Sequence, residues 1–348
     1  MRRLHSLAGR AAAALGLALC VASAQAAMGL AELPGREGDG PVTVFYPSAG
    51  PEATVQRGPF SLQLAPDAPP SPGNGRLVAI SHGSGGNPWV HADLARVLVQ
   101  HGYVVAMPRH RGDNALDPST PGPQSWRQRP GEVSRAIDAV LADPRFAALD
   151  ARHVGLYGMS AGGHTALVFA GGRWSPGAFR RHCEANLEAD FAFCVGLATR
   201  LHHDAWDGLR EWVVRQVLRL KFRDEAWLGH EDPRVAAVVA GVPAAADFDM
   251  ASLARPRVPL ALVTARDDRW LVPRFHSTPV LAACLPRCEW LADIAGGHGA
   301  LLSPPPPADR LGDIALDLLG DPLGFDRGAM HGIDEAIAGF FDRHLTRP

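Results

Sequence analysis

The sequence predicts an α/β chain in which a mainly parallel sheet is flanked by helices. Three observations predict it. Short apolar runs of strand length recur at 76–80, 103–107, 153–157, 235–242 and 259–264. Segments with apolar residues at helical spacing lie between them. And Gly158-Met159-Ser160-Ala161-Gly162 joins the 153–157 run directly to an Ala/Leu/Val-rich stretch at 161–170, a strand, a sharp turn and a helix in succession. Strands alternating with helices close a sheet through right-handed crossovers, and such sheets bind ligands beyond the carboxyl ends of their strands.

Residues 1–26 read as an export signal. Arg2 and Arg3 supply positive charge, 11–22 form an apolar core too short to span a bilayer comfortably, and Ala24-Gln25-Ala26 is a small-residue cleavage site. The mature chain is expected to begin near Ala27, in the periplasm or outside the cell. Cys20 invites a lipoprotein reading, which Leu19 before it disfavours, because a small residue usually precedes a lipidated cysteine. No later segment reaches transmembrane length, so no stable membrane insertion is expected.

Residues 27–348 read as one domain. The 41–46 run alternates like a strand, and the proline-rich 66–74 stretch is a surface loop. After the 76–80 strand comes Ser81-His82-Gly83-Ser84-Gly85-Gly86, a glycine-rich loop. A helix is expected over 91–101, ending at Gly102, and another over 131–142, with Val133, Ile137 and Val140 on one face. A closing helix carries Ile333, Ile337, Phe340, Phe341 and Leu345. Residues 172–230 break the alternation. Trp206, Leu209, Val213, Val217 and Leu220 recur there at helical spacing. An inserted cap over a binding site is the favoured reading. A helix packed flat on the core and an interfacial helix touching lipid are the others.

The composition is that of a globular chain. It has 348 residues, 47% hydrophobic and 20% charged, with a net charge of −2. That balance gives no reason to expect nucleic acid or an anionic partner for the chain as a whole. Lys221 is the only lysine among the 34 basic residues. Without Cys20 four cysteines remain, and an even count in an exported chain favours disulfides. Three pairings are open. Cys183 with Cys194 and Cys284 with Cys288 is the simplest, since each closes one local loop. The spacings are not those of a zinc ribbon. His202-His203-Asp204 reads as a solvated loop, and neither metal nor cofactor is expected.

The chemistry converges on Ser160. A serine hydroxyl becomes a useful nucleophile when a histidine takes its proton and a carboxylate orients that histidine. The 259–264 strand ends in Asp267-Asp268, and His298 follows on the glycine-rich 295–299 loop, giving the order serine, acid, histidine. The amide of Ala161, next after the serine, and that of Ser84 are the expected oxyanion donors. His82 is expected to shape the 81–86 loop. Asp113 and Asn114 are expected to brace a loop nearby, and the 303–307 proline run to stiffen the segment after His298.

With these residues in place, the chain resembles the α/β-hydrolases. More narrowly, it is similar to bacterial proteins described as predicted dienelactone hydrolases, related to the platelet-activating-factor acetylhydrolase type. Val44-Phe45-Tyr46-Pro47, the 81–86 loop, the 108–114 segment and the 158–163 turn carry the likeness. The resemblance implies Ser160 as nucleophile, His298 as base and Asp268 as acid. Spacing favours Asp268 over Asp267, and Asp247 and Asp249 are weaker alternatives. Two departures matter. Dienelactone hydrolases use cysteine where this chain has Ser160, so that name does not fix a substrate, and Met159 stands where histidine is common. The expected activity is hydrolysis of small or short-chain carboxylic esters through an acyl-enzyme, since no extended lipid-binding region is evident. A short-acyl phospholipase-type esterase and a non-catalytic binding protein are the alternatives. The expected partner is a small-molecule ester; the sequence is silent on oligomeric state.

Overall fold

The computed structural model describes residues 26–346, so the signal reading, Cys20 included, lies almost wholly outside the described residues. Twelve strands are described. They are β1 (Ala27–Leu33), β2 (Val42–Ser48), β3 (Ala53–Arg57), β4 (Phe60–Pro66), β5 (Leu77–Ser81), β6 (Val104–Pro108), β7 (Val154–Met159), β8 (Arg173–Trp174), β9 (Val235–Gly241), β10 (Phe248–Asp249), β11 (Leu260–Ala265) and β12 (Glu289–Ile294). The α-helices are α1 (Ala92–Gln100), α2 (Pro123–Leu141), α3 (Ala161–Phe169), α4 (Pro176–Asn186), α5 (Phe191–Val195), α6 (Asp207–Lys221), α7 (Met250–Leu253), α8 (Ser277–Cys284), α9 (Asp313–Leu319) and α10 (Met330–Phe341).

Ten strands form one mixed, mostly parallel sheet in the order β12-β11-β9-β7-β5-β6-β2-β1-β4-β3. From β12 to β6 every neighbour is parallel. The fold is therefore α/β, as the alternation of runs predicts. The central strands are buried on both faces and are correspondingly rich in Val, Ala, Leu and Ile. One apolar layer lies between the sheet and α2, α3, α4, α5 and α8. The other lies between the sheet and α1 and α10. Chain order turns back at β5: β6 lies to one side of it and β7 to the other. The crevice at such a reversal is where open α/β sheets bind ligands.

Local chemistry sets the boundaries. Helix α1 buries Leu94, Val97 and Leu98 and stops where Gly102 takes φ +88°. The Gly102 amide donates to Val99 O and the Tyr103 amide to Leu98 O, the paired bonds of a Schellman end. Helix α2 begins eight residues before the expected position 131 and runs through Pro130. A proline there forfeits one helical hydrogen bond. Burial of Ser125, Trp126, Arg129 and Glu132 on the same face of that helix holds the extra turns. The β1, β3 and β4 strands, which extend the sheet past β2, are not among the strands the sequence predicts, and β12 buries only Ile294.

The cysteines pair as sequence neighbours. Cys183–Cys194 ties α4 to α5, and Cys284–Cys288 closes the turn between α8 and β12. In the 172–230 segment, α6 packs on α4 but buries only Leu218, and its apolar side faces solvent. No described helix is long and apolar enough to cross a membrane.

Candidate active site

Ser160 stands between the end of β7 and the first turn of α3. Its backbone is left-handed, φ +61° and ψ −117°, a strained conformation for a residue with a side chain. The surroundings hold it there. Its amide donates to Gly241 O at 3.0 Å, and its carbonyl accepts from His164 N at 2.9 Å and Ala244 N at 3.2 Å. The turn is so tight that a Cβ at Gly158 would overlap the Gly162 carbonyl, and one at Gly162 would overlap that of Ser81. Glycine is required at both positions because neighbouring backbone occupies the space of a side chain.

The Ser160 hydroxyl donates to His298 Nε2 at 2.9 Å. His298 Nδ1 lies 2.7 Å from Asp268 Oδ2. An ionised carboxylate only accepts, so Nδ1 carries the proton and Nε2 is left to receive that of the serine. Asp268 is fixed through its other oxygen, which accepts from the amides of Trp270 at 2.9 Å and Leu271 at 2.8 Å. All three side chains are buried. Asp267 is exposed, and its amide donates to Gly296 O. Asp247 pairs with His164 at 3.2 Å beneath α3, and Asp249 caps α7, so neither reaches His298.

The loop after β5 is braced from below. Gly83 packs on Ser160, where even an added Cβ would lie 3.3 Å from the serine Cβ. The Ser84 hydroxyl donates to Asp113 Oδ1 at 2.5 Å and the Gly85 amide to the same oxygen at 3.0 Å. The other oxygen of Asp113 accepts from Arg129 Nη2 at 2.8 Å, an ion pair with both side chains buried. Arg129 also donates to the His82 carbonyl and, through Nε, to Ser125 Oγ at 2.9 Å. Burial would raise the Asp113 pKa, but Arg129 and the bonds from Ser84 and Gly85 more than offset it and hold the carboxyl below its usual range. Removing one partner of such a pair strands a buried charge, at a cost of about 3–5 kcal/mol.

Beneath the same loop, His82 Nδ1 donates to Gly83 O at 2.7 Å, and the His110 amide donates to His82 Nε2. Burial, then His110 and Arg129, push the His82 pKa well down, so this ring stays neutral. Ser81 Oγ, His110 Nε2 and Nδ1, and Glu132 Oε2 form a second serine-histidine-acid array, with spacings of 2.8 and 2.5 Å. It is sealed from solvent, so it is a brace that no substrate reaches. Burial pushes the Glu132 pKa up and the His110 pKa down, favouring the neutral form of each.

Two cavities meet at Ser160. The larger, about 320 Å³, is lined by Phe60, Met159, His298, Leu302, Pro306 and Leu319 among others. The smaller, about 150 Å³, is walled by Trp126, Phe179, Phe193, Phe222 and Cys194, with Ala161 and Ser84 at its rim. Ser84, Ser160 and Trp270 belong to both. A cleft of about 630 Å³ on the outer side of the acid loop includes Asp268 but neither Ser160 nor His298. Among the described residues no group of His, Cys, Asp and Glu is arranged to hold a metal ion. His202 and His203 are exposed, and Asp204 pairs with Arg210.

The structure thus brings Ser160, His298, Asp268, Ala161 and Ser84 together. Asp113 and Asn114 brace the nearby loop, Asn114 by donating to His110 O. Sequence reasoning missed Arg129, Glu132 and the aromatic wall. For Arg129 a signal existed: an arginine flanked by Trp126 and Val133 at helical spacing on a buried face. No protein-family model matches this chain, and a search of curated proteins returns no match to it.

Proposed function

We propose that this chain is a serine hydrolase of the α/β-hydrolase type that cleaves carboxylic esters through an acyl-enzyme. The continuous relay from the Ser160 hydroxyl through His298 to Asp268, mounted on a strained strand-to-helix turn, is the observation that carries this reading. Ser160 Oγ attacks the ester carbonyl carbon while His298 Nε2 takes the hydroxyl proton. The amides of Ala161 and Ser84 receive the developing oxyanion, helped by the positive end of α3. Collapse of the tetrahedral adduct breaks the ester C–O bond, and His298 returns its proton to the departing alkoxide. Water, deprotonated by the same nitrogen, then releases the acid and restores the serine.

The two cavities take different parts of the substrate. His298 must protonate the leaving oxygen, and His298 lines the larger cavity but not the smaller. The alcohol portion therefore belongs in the larger one and the acyl group in the smaller, whose aromatic wall limits it to short chains. The disulfides support an exported, periplasmic or secreted enzyme.

Hydrolysis of p-nitrophenyl esters from acetate upward, with wild type beside Ser160→Ala, tests the reading. Wild type should prefer the shortest esters. Ser160→Ala should lose roughly 10⁶-fold in kcat, as a removed nucleophile does. Equal rates in the two proteins would remove Ser160 from the chemistry.

A further inference from the structure

His298 stands in Gly296-Gly297-His298-Gly299, a run whose backbone has little stiffness of its own. Its ring must nevertheless meet both Ser160 Oγ and Asp268 Oδ2. What fixes the turn comes from outside it. His298–Leu301 is a short 3₁₀ helix, and the carbonyls at its end accept from one side chain, that of Arg327. Arg327 Nη1 donates to Leu302 O at 2.7 Å and to Ala300 O at 3.4 Å, and Nη2 donates to Gly299 O at 3.1 Å. Nε and Nη2 donate to Asp321 Oδ2 and Oδ1, at 2.7 and 2.8 Å. These five bonds engage all five N–H groups of the guanidinium.

The arginine is itself held in place. Asp326 caps the turn Arg327–Ala329 by accepting from Gly328 N at 2.8 Å, and α10, which follows at once, packs into the core. The neighbours of Arg327 close on the same loop. Phe325 packs on Gly296, where an added Cβ would lie 2.7 Å from its ring, and the Leu319 carbonyl occupies the space of a Cβ at Gly299. Residues 319–327 thus wrap the outside of the histidine turn. Arg327 lines neither cavity at Ser160. We propose that Arg327 is a positioning residue for His298, acting through the carbonyls of Gly299, Ala300 and Leu302. A partly exposed Arg–Asp pair contributes little by itself. One planar fork spread over three carbonyls of a single turn fixes where that turn lies, and with it the histidine ring. The effect on rate rests on the hydrolase reading of Ser160, but the place of His298 can be read without it.

The test compares wild type with Arg327→Met and Arg327→Lys on p-nitrophenyl acetate, with active sites counted by fluorophosphonate titration. Arg327→Met should lower kcat per site roughly 10²-fold with KM within about twofold, because a catalytic group misplaced by about 1 Å costs that much. Arg327→Lys keeps the charge but offers a single ammonium in place of the fork, so it should fall in between. Proton NMR reads the ring directly. The Nδ1 proton of His298, held by Asp268, should resonate far downfield, be identified by its loss in His298→Ala, and shift or broaden in Arg327→Met. An unchanged kcat per site, an unchanged resonance, or a loss confined to the number of titratable sites overturns the proposal. If Arg327→Met does not fold, Arg327→Lys decides by the same readings. If wild type hydrolyses no ester, the hydrolase reading fails, and the resonance alone decides on Arg327.

Discussion

Asp267 and Asp268 differ by one position and by almost everything that gives a carboxylate its role. Asp268 is buried, receives two backbone amides on one oxygen and meets His298 with the other, whereas Asp267 is exposed. Asp268→Asn should lower kcat by roughly 10⁴-fold, because an amide can hold the wrong histidine tautomer. Asp267→Asn should leave it within a few-fold, and steady-state kinetics on a short ester separates the two. Spacing along the chain favours Asp268 but carries no burial, which comes from the turn after β11. Asp334 supplies a second test. Burial, then the nearby charges of Asp93 and Glu335, push its pKa up to about 7. In the unfolded chain an aspartate ionises near 3.9. Between those values the folded state holds a proton that the unfolded state has lost, so stability falls as pH rises through the window and levels off above it. The loss is roughly 2–4 kcal/mol. Asp334→Asn should melt higher than wild type at pH 8 and by a shrinking margin toward pH 4. A margin independent of pH would mean that Asp334 does not titrate there.

At the scale of elements, the 172–230 segment shapes the site. Helices α4 and α5, joined by Cys183–Cys194, bring Phe179 and Phe193 to the smaller cavity, and the end of α6 brings Phe222. Phe222 is only half-buried, so truncating it should open the cavity without unfolding the chain. Phe222→Ala should shift the acyl-length optimum upward, with gains of up to about fourfold in kcat/KM per added methylene, the worth of a buried CH₂ group. A uniform change along the ester series would place the acyl group elsewhere. The periodicity of Trp206 to Leu220 is legible in the sequence as a helix. Which way its apolar side faces is not, because periodicity reports a stripe and only packing decides what covers it.

At the scale of the molecule, the sheet explains why so much of the site could be read from the chain. The loops after β5, β7 and β11 and the one bearing His298 converge where strand order reverses, so local signals at Gly83, Ser160, Asp268 and His298 meet in space. The parallel strands β5, β6, β7, β9 and β11 are legible because burial on both faces makes them continuous apolar runs. The β3, β4 and β12 strands lie toward the sheet edges and mix polar with apolar residues, so their signal is weak, and β1, apolar but for Glu32, follows straight on the Ala-rich stretch read as an export signal. Arg129 and Glu132 escape notice because a charged residue in a helix reads as solvent-facing until its partners, Asp113 and His110, arrive from another loop. The central claim is that this convergence makes Ser160 a nucleophile. Its most direct measurement is labelling of the protein by a fluorophosphonate, with the modified peptide read by mass spectrometry. One adduct is expected, on Ser160, slowed strongly in His298→Ala and lost in Ser160→Ala. No adduct, or an adduct elsewhere that survives Ser160→Ala, would contradict it.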